Sequence, residues 1–107
     1  MDEQTARTEL VETCARLYDR GLTVSAGGNM SVRIGDAILI TPSGRNKGLL
    51  RQEDLVKVSM DGEVISGPKP SIETGFHLAL YNANQGTNAV VHCHPLNLSL
   101  IHISEPT

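Results

Sequence analysis

The sequence predicts a mixed α/β domain in which helices cover a largely antiparallel sheet. Apolar residues recur at spacings of three and four in two separate segments, residues 5–20 and 72–83, as they do along one face of a helix. Between them lie two pairs of short apolar runs, each pair joined by a glycine-containing turn, Gly35-Asp36 and Asp61-Gly62. A final apolar run, Ala89-Val90-Val91-His92-Cys93-His94, is closed by Pro95 and reads as a strand.

In the first helix, Ala6, Leu10, Val11, Cys14, Leu17 and Tyr18 share a face, and Gly21 supplies the stop because glycine tolerates the backbone that ends many helices. Met30, Val32 and Ile34 then alternate with Ser31 and Arg33, and Ala37 to Thr41 returns across the turn as the second strand of a hairpin. Pro42-Ser43-Gly44 breaks that strand, and a polar loop runs through Arg45, Asn46 and Lys47 to Gln52-Glu53-Asp54. The second hairpin is Leu55 to Met60 and Glu63 to Ser66. Gly67-Pro68-Lys69-Pro70 cannot continue a strand, since proline has no N–H to give a ladder. Ser71 stands where a helix N-cap is expected, ahead of Ile72, Phe76, Ala79, Leu80 and Ala83 at helical spacing.

Composition bounds the rest. With 107 residues, 39% hydrophobic and 20% charged, the chain has the make-up of one soluble globular domain. Aromatic residues are only 3% and Trp is absent, so the core must come from Leu, Ile, Val and Ala. A net charge of −3 with scattered Lys and Arg gives no footprint for nucleic acid. No apolar run approaches the roughly 20 residues of a membrane span, and the acidic opening MDEQTARTEL is unlike a signal peptide; a cytoplasmic protein is expected. Cys14 and Cys93 are too few for a disulfide framework and are expected as buried thiols.

Three features carry chemistry. His92 and His94, two apart on a strand, leave the same face, which suits one divalent ion; imidazole binds zinc at about 2.0–2.1 Å. Taken alone, the pair reads equally as two unrelated histidines at a strand end. Glu73 falls in the first turn of the second helix, where a carboxylate can carry protons or simply offset the helix dipole by about 0.3–1 kcal/mol. His77, one turn on, either orients Glu73 or is packed. Gly27-Gly28-Asn29 and Thr41-Pro42-Ser43-Gly44, with Ser71 as a third contributor, can offer N–H and hydroxyl groups to a phosphate, although each alone is an ordinary turn.

In combination and in this order, the motifs Gly27-Gly28-Asn29-Met30-Ser31, Ile40-Thr41-Pro42-Ser43-Gly44, Lys69-Pro70-Ser71-Ile72-Glu73 with Phe76-His77, and Val91-His92-Cys93-His94-Pro95 resemble the class II aldolase/adducin family across roughly residues 5–96. The resemblance implies a three-layer α/β/α fold with a mostly antiparallel central sheet. It also implies a homotetramer with active sites near subunit interfaces, and a metal-dependent carbon–carbon lyase working on a small sugar or sugar-acid phosphate through a zinc-stabilised enediolate. By position, Gly28, Asn29, Thr41, Ser43, Gly44 and Ser71 match the family's phosphate-binding residues, Glu73 its catalytic acid/base, and His92 and His94 two of its Zn²⁺ ligands. Ile72 departs from the aldolase members, which carry a second serine there.

A 3-oxo-tetronate 4-phosphate decarboxylase and a pentulose-phosphate 4-epimerase of the same family share this metal chemistry. A non-catalytic adducin-like assembly domain is expected to lack His92, His94 and Glu73. A cupin barrel would need a Glu where Leu98 stands, and neither cysteine nor any serine lies in a Gly-x-Ser-x-Gly elbow. The family's third metal histidine lies further downstream, and His102 is too close to His94 to replace it. Residues 99–107 do not resemble the family and look like a translated sequencing adapter, so residues 1–98 are expected to form an incomplete N-terminal domain. Such a chain is expected to be inactive alone and to expose a sheet edge.

Overall fold

The computed structural model describes residues 2–21, 28–44 and 46–92. Helix α1 spans Glu3–Asp19 and begins where the Asp2 carboxylate accepts the Thr5 N–H at 2.8 Å. It ends ahead of Gly21, whose φ of +73° is the left-handed backbone expected of a helix stop. Its buried residues, Ala6, Leu10 and Cys14, are spaced by four.

Strands β1 (Asn29–Ile34) and β2 (Ala37–Ile40) form the first hairpin, paired from Ser31 with Ile40 to Ile34 with Ala37. Strands β3 (Val56–Ser59) and β4 (Val64–Ser66) form the second, with a register irregularity at Lys57/Val58. Helix α2 (Thr74–Ala83) leads to β5 (Ala89–His92), which pairs with β1. The sheet order is β4-β3-β2-β1-β5, and every pairing is antiparallel.

Strand alternation splits the core into two. Met30, Leu39 and Leu55 face α1 and pack with Leu10 and Cys14. Ile38, Ile40, Val56, Val58 and Val90 take the other face and pack with Leu78 and Tyr81 of α2. The result is the α/β/α layering expected above, with Ile38, Leu39 and Ile40 fully buried at its centre. Each such side chain contributes about 1.5–3 kcal/mol through removal from water.

The structure departs from expectation in three places. The loop after residue 45 contains two 3-10 turns, Lys47–Leu49 and Gln52–Asp54. Side chains make them: Asn46 accepts the Gly48 N–H, Asp54 accepts the Arg51 N–H, and Arg7 of α1 donates to the Gln52 carbonyl. Next, α2 starts at Thr74 with Glu73 at the N-cap, so Ser71 is not the cap and Glu73 is not within the first turn. Ser71 is instead tied to the exit of β2, its N–H donating to the Thr41 carbonyl at 3.1 Å beside a Pro42–Pro70 bridge. Two further residues are needed to turn from that extended line into a helix.

Finally, the apolar residues that mark α2 in the sequence form its outer side. Ile72 is 84% exposed and Phe76 50%, whereas His77, Leu78 and Tyr81 are buried. The helix is turned this way because His77 and Tyr81 find polar partners on β1, which offsets the cost of burying them. Residues 93–107, including His94 and the tail from residue 99, lie outside the described residues. Among the described residues, no helix is long and apolar enough to cross a membrane.

Candidate active site

One end of the sheet gathers the described candidate residues. Asn29 is the register partner of His92 across β1 and β5, so their side chains leave the same face, the one covered by α2. Past the end of β2, the Thr41 N–H donates to the Met30 carbonyl at 3.0 Å and the Met30 N–H donates to Thr41 Oγ1 at 3.2 Å. The next residues reach the 69–71 segment, where the Ser43 N–H donates to the Lys69 carbonyl at 3.0 Å. Gly28-Asn29, the 41–44 loop, the entry to α2 and His92 are thereby neighbours.

The carboxylate of Glu73 lies 4.0 Å from His92 Nδ1, with both side chains half-buried. At that distance they are ion-pair neighbours rather than hydrogen-bonded. The Phe76 ring sits 5.9 Å from the His92 ring, tilted by 51°, and walls the pair on one side. Imidazole and carboxylate oxygen are both donors that zinc accepts, so this pair fits the implied metal chemically. Among the described residues, no group of three or more His, Cys, Asp or Glu is placed to hold a metal.

The phosphate-type loops are more committed than their sequences suggest. The N–H groups of Thr41, Ser43 and Ser71 all donate to backbone carbonyls, and the Thr41 side chain is fully buried. Gly28 and Gly44 have φ of +79° and +70°, the left-handed conformation that turns successive backbone N–H groups to one side. At Gly44 an added Cβ would meet nothing within 4 Å. The Ser71 hydroxyl oxygen accepts the Glu73 N–H at 3.1 Å, leaving its proton to donate elsewhere.

His77 has no solvent exposure and does not orient the Glu73 carboxylate; its link to that residue is its own backbone N–H donating to the Glu73 carbonyl at 3.2 Å. Its ring bonds Asn29 Oδ1 through Nε2 and meets Ser31 Oγ through Nδ1 at 2.6 Å. Ser31 Oγ in turn lies 2.8 Å from the Tyr81 hydroxyl. Burial, and secondarily the charge of His92, pushes the His77 pKa down to about 4. Burial pushes the Tyr81 hydroxyl up, against the pull of its bond to Ser31.

Sequence reasoning missed Ser31 and Tyr81. Their signal was present: His77 and Tyr81 are four apart on the helix side opposite the apolar stripe, and Ser31 lies two residues from Asn29 on the same strand face.

Residues 8–106 match the family model described as the class II aldolase and adducin N-terminal domain. The L-fuculose phosphate aldolase of Methanocaldococcus jannaschii is 40% identical over 90 residues, covering 84% of this chain and 49% of that protein. The 3-oxo-tetronate 4-phosphate decarboxylase of Pectobacterium atrosepticum is 41% identical over 104 residues, covering 96% of this chain and 48% of its own length. Among solved structures, an L-fuculose 1-phosphate aldolase superposes with a TM-score of 0.84 at 29% identity, covering 94% of this chain and 49% of the other. The chain thus spans about half the length of the curated relatives it matches.

Proposed function

This chain belongs to the class II aldolase and adducin family, and on that premise we propose that it carries the proton-transfer and phosphate-binding half of a metal-dependent lyase acting on a small sugar phosphate. The observation that carries the reading is the Glu73 carboxylate facing His92 at 4.0 Å, beside two loops that offer hydroxyls and left-handed glycines. That is a proton carrier, a metal-type ligand and an anion-recognising wall at one sheet end.

In this reading His92 and His94 hold a divalent cation, zinc by the family resemblance, together with a ligand from outside this chain. When bound, the cation supplies Lewis-acid stabilisation of the charge that grows on substrate oxygens as the carbon–carbon bond breaks. Glu73 returns a proton to the carbon left electron-rich by that cleavage, from a position where it touches water as well as His92. Ser43, Ser71, Gly28, Gly44 and Asn29 anchor the substrate phosphate, and Thr41 braces the loop through its bonds to Met30. Anchoring the remote phosphate fixes the reacting carbons in place before chemistry begins.

The 3-oxo-tetronate 4-phosphate decarboxylase is the second reading, favoured by the 41% identity to that relative and by Ile72. Its exposed aliphatic side chain gives the phosphate loop one hydroxyl fewer than a serine would. Decarboxylation leaves the same kind of electron-rich carbon and needs the same proton. The whole protein is proposed as a cytoplasmic homotetramer, and the exposed stripe of Ile72, Phe76 and Leu80 supports a subunit contact beside the site.

The test is a chimera that joins residues 1–92 of this chain to the downstream half of the Methanocaldococcus jannaschii relative, assayed on L-fuculose 1-phosphate and on 3-oxo-tetronate 4-phosphate. Turnover of one substrate, abolished by a chelator and restored by zinc, is expected. A folded, zinc-loaded chimera that turns over neither would sink the lyase reading.

A further inference from the structure

We propose that His77 is a positioning residue: through a buried chain of hydrogen bonds with Ser31 and Tyr81 it fixes the carboxamide of Asn29, oxygen inward, so that the Nδ2 hydrogens are what Asn29 offers to a substrate anion. The consequence for substrate rests on the phosphate reading above, whereas the hold on Asn29 stands on the hydrogen bonds alone.

Donor and acceptor roles along the chain follow from one fact. Asn29 Oδ1 carries no hydrogen, so His77 Nε2 must be the N–H that donates to it. A neutral imidazole has a single N–H, so Nδ1 is an acceptor and the Ser31 hydroxyl donates to it across 2.6 Å. The Ser31 oxygen then accepts the Tyr81 hydroxyl proton across 2.8 Å. With the Asn29 oxygen as the end acceptor, each hydrogen in the chain has one acceptor, and reversing any single bond leaves two donors or two acceptors facing each other.

The site geometry gives the relay its purpose. Asn29, Ser31 and His77 are all buried, so a polar group left unpaired among them is costly and the hydrogen-bonded arrangement is held. Asn29 is also the register partner of His92 and adjoins Gly28, which puts its amide between the metal-type histidine and the anion-recognising backbone. Packing alone could be met by an aromatic hydrocarbon in place of the imidazole. Only a group with a donor at the Nε2 position can hold the Asn29 oxygen.

Long-range proton–nitrogen spectra of the 107-residue chain with ¹⁵N-labelled histidine test the hold directly. The Nε2–H tautomer is expected for His77; a dominant Nδ1–H tautomer overturns the proposal. Titration with inorganic phosphate, followed on the backbone amides of Gly28 and Gly44, tests the consequence with His77→Phe, His77→Gln and Asn29→Ala. Loss of one hydrogen bond to an anion should weaken binding by about tenfold or more in both His77→Phe and Asn29→Ala. His77→Gln, whose amide can still donate to Asn29, should stay within about threefold of the parent chain.

Parent-like phosphate binding by a folded His77→Phe chain would contradict the proposal. If that variant does not fold, the tautomer and His77→Gln decide: weakening by His77→Gln equal to that of Asn29→Ala counts against it. A parent chain that shows the Nε2–H tautomer but binds no phosphate retains the His77 hold and instead removes the phosphate reading of the site.

Discussion

Glu73 and His77 sit four residues apart, and the fold gives them opposite environments: one meets water beside His92, the other is sealed between α2 and β1. That difference has a consequence for stability. His77 takes up a proton near its ordinary 6.5 in the unfolded chain but near 4 when folded. Between those values the unfolded state holds more protons, so stability is complete above pH 6.5 and declines as pH falls toward 4. At about 1.36 kcal/mol per pH unit, the loss is on the order of 3 kcal/mol. Urea unfolding at pH 7 and pH 4.5 should show this decline in the parent chain and a much flatter profile in His77→Gln. Glu3 acts in a lower window, because its bonds to Lys57 and Arg7 hold its carboxyl below the usual 4.5 and their benefit fades only as pH drops further. The chemical types of Glu73 and His92 were legible from sequence, but the 4.0 Å approach was not, since it depends on where α2 begins relative to β5.

Helix α2 is the element whose orientation sequence periodicity misread. Counting apolar residues selects Ile72, Phe76 and Leu80, yet the buried side is His77, Leu78 and Tyr81. Periodicity could not register that Ser31, 46 and 50 residues away from His77 and Tyr81, supplies their hydrogen bonds. Leu78→Ala should therefore cost about 2–5 kcal/mol, and Ile72→Ser should stay within about 0.5 kcal/mol in thermal denaturation. A cost for Ile72→Ser as large as that for Leu78→Ala would contradict this orientation of the helix. The hairpins were readable because a period of two and a glycine turn are local signals. Just past the second, Gly67 at φ +102° lies so close to the chain that an added Cβ would come 2.5 Å from the Leu55 carbonyl oxygen. Gly67→Ala should destabilise well beyond Gly35→Ala, where φ is +68° but the space is open and the cost is about 1 kcal/mol.

At the scale of the molecule, the four motifs were legible as an ordered set, and the fold explains why they belong together: the Pro42–Pro70 bridge and the Asn29–His92 register draw distant segments to one end of the sheet. On the opposite face, an apolar cleft between α1 and the β1–β5 edge is lined by Ala6, Leu10, Met30 and Val91, away from Glu73. Val91 is 55% exposed beside that cleft, on the strand that ends the described sheet. The 107-residue chain should self-associate through this edge, and Val91→Lys should shift sedimentation toward the monomer. The central claim is that Glu73 is the proton carrier beside a metal-binding His92. Its most direct measurement is kcat of the chimera described above with Glu73→Gln, alongside zinc content and thermal midpoint. A fall in kcat of about 10²–10⁴-fold with zinc and midpoint unchanged is expected; a kcat within about threefold of the parent chimera would contradict it.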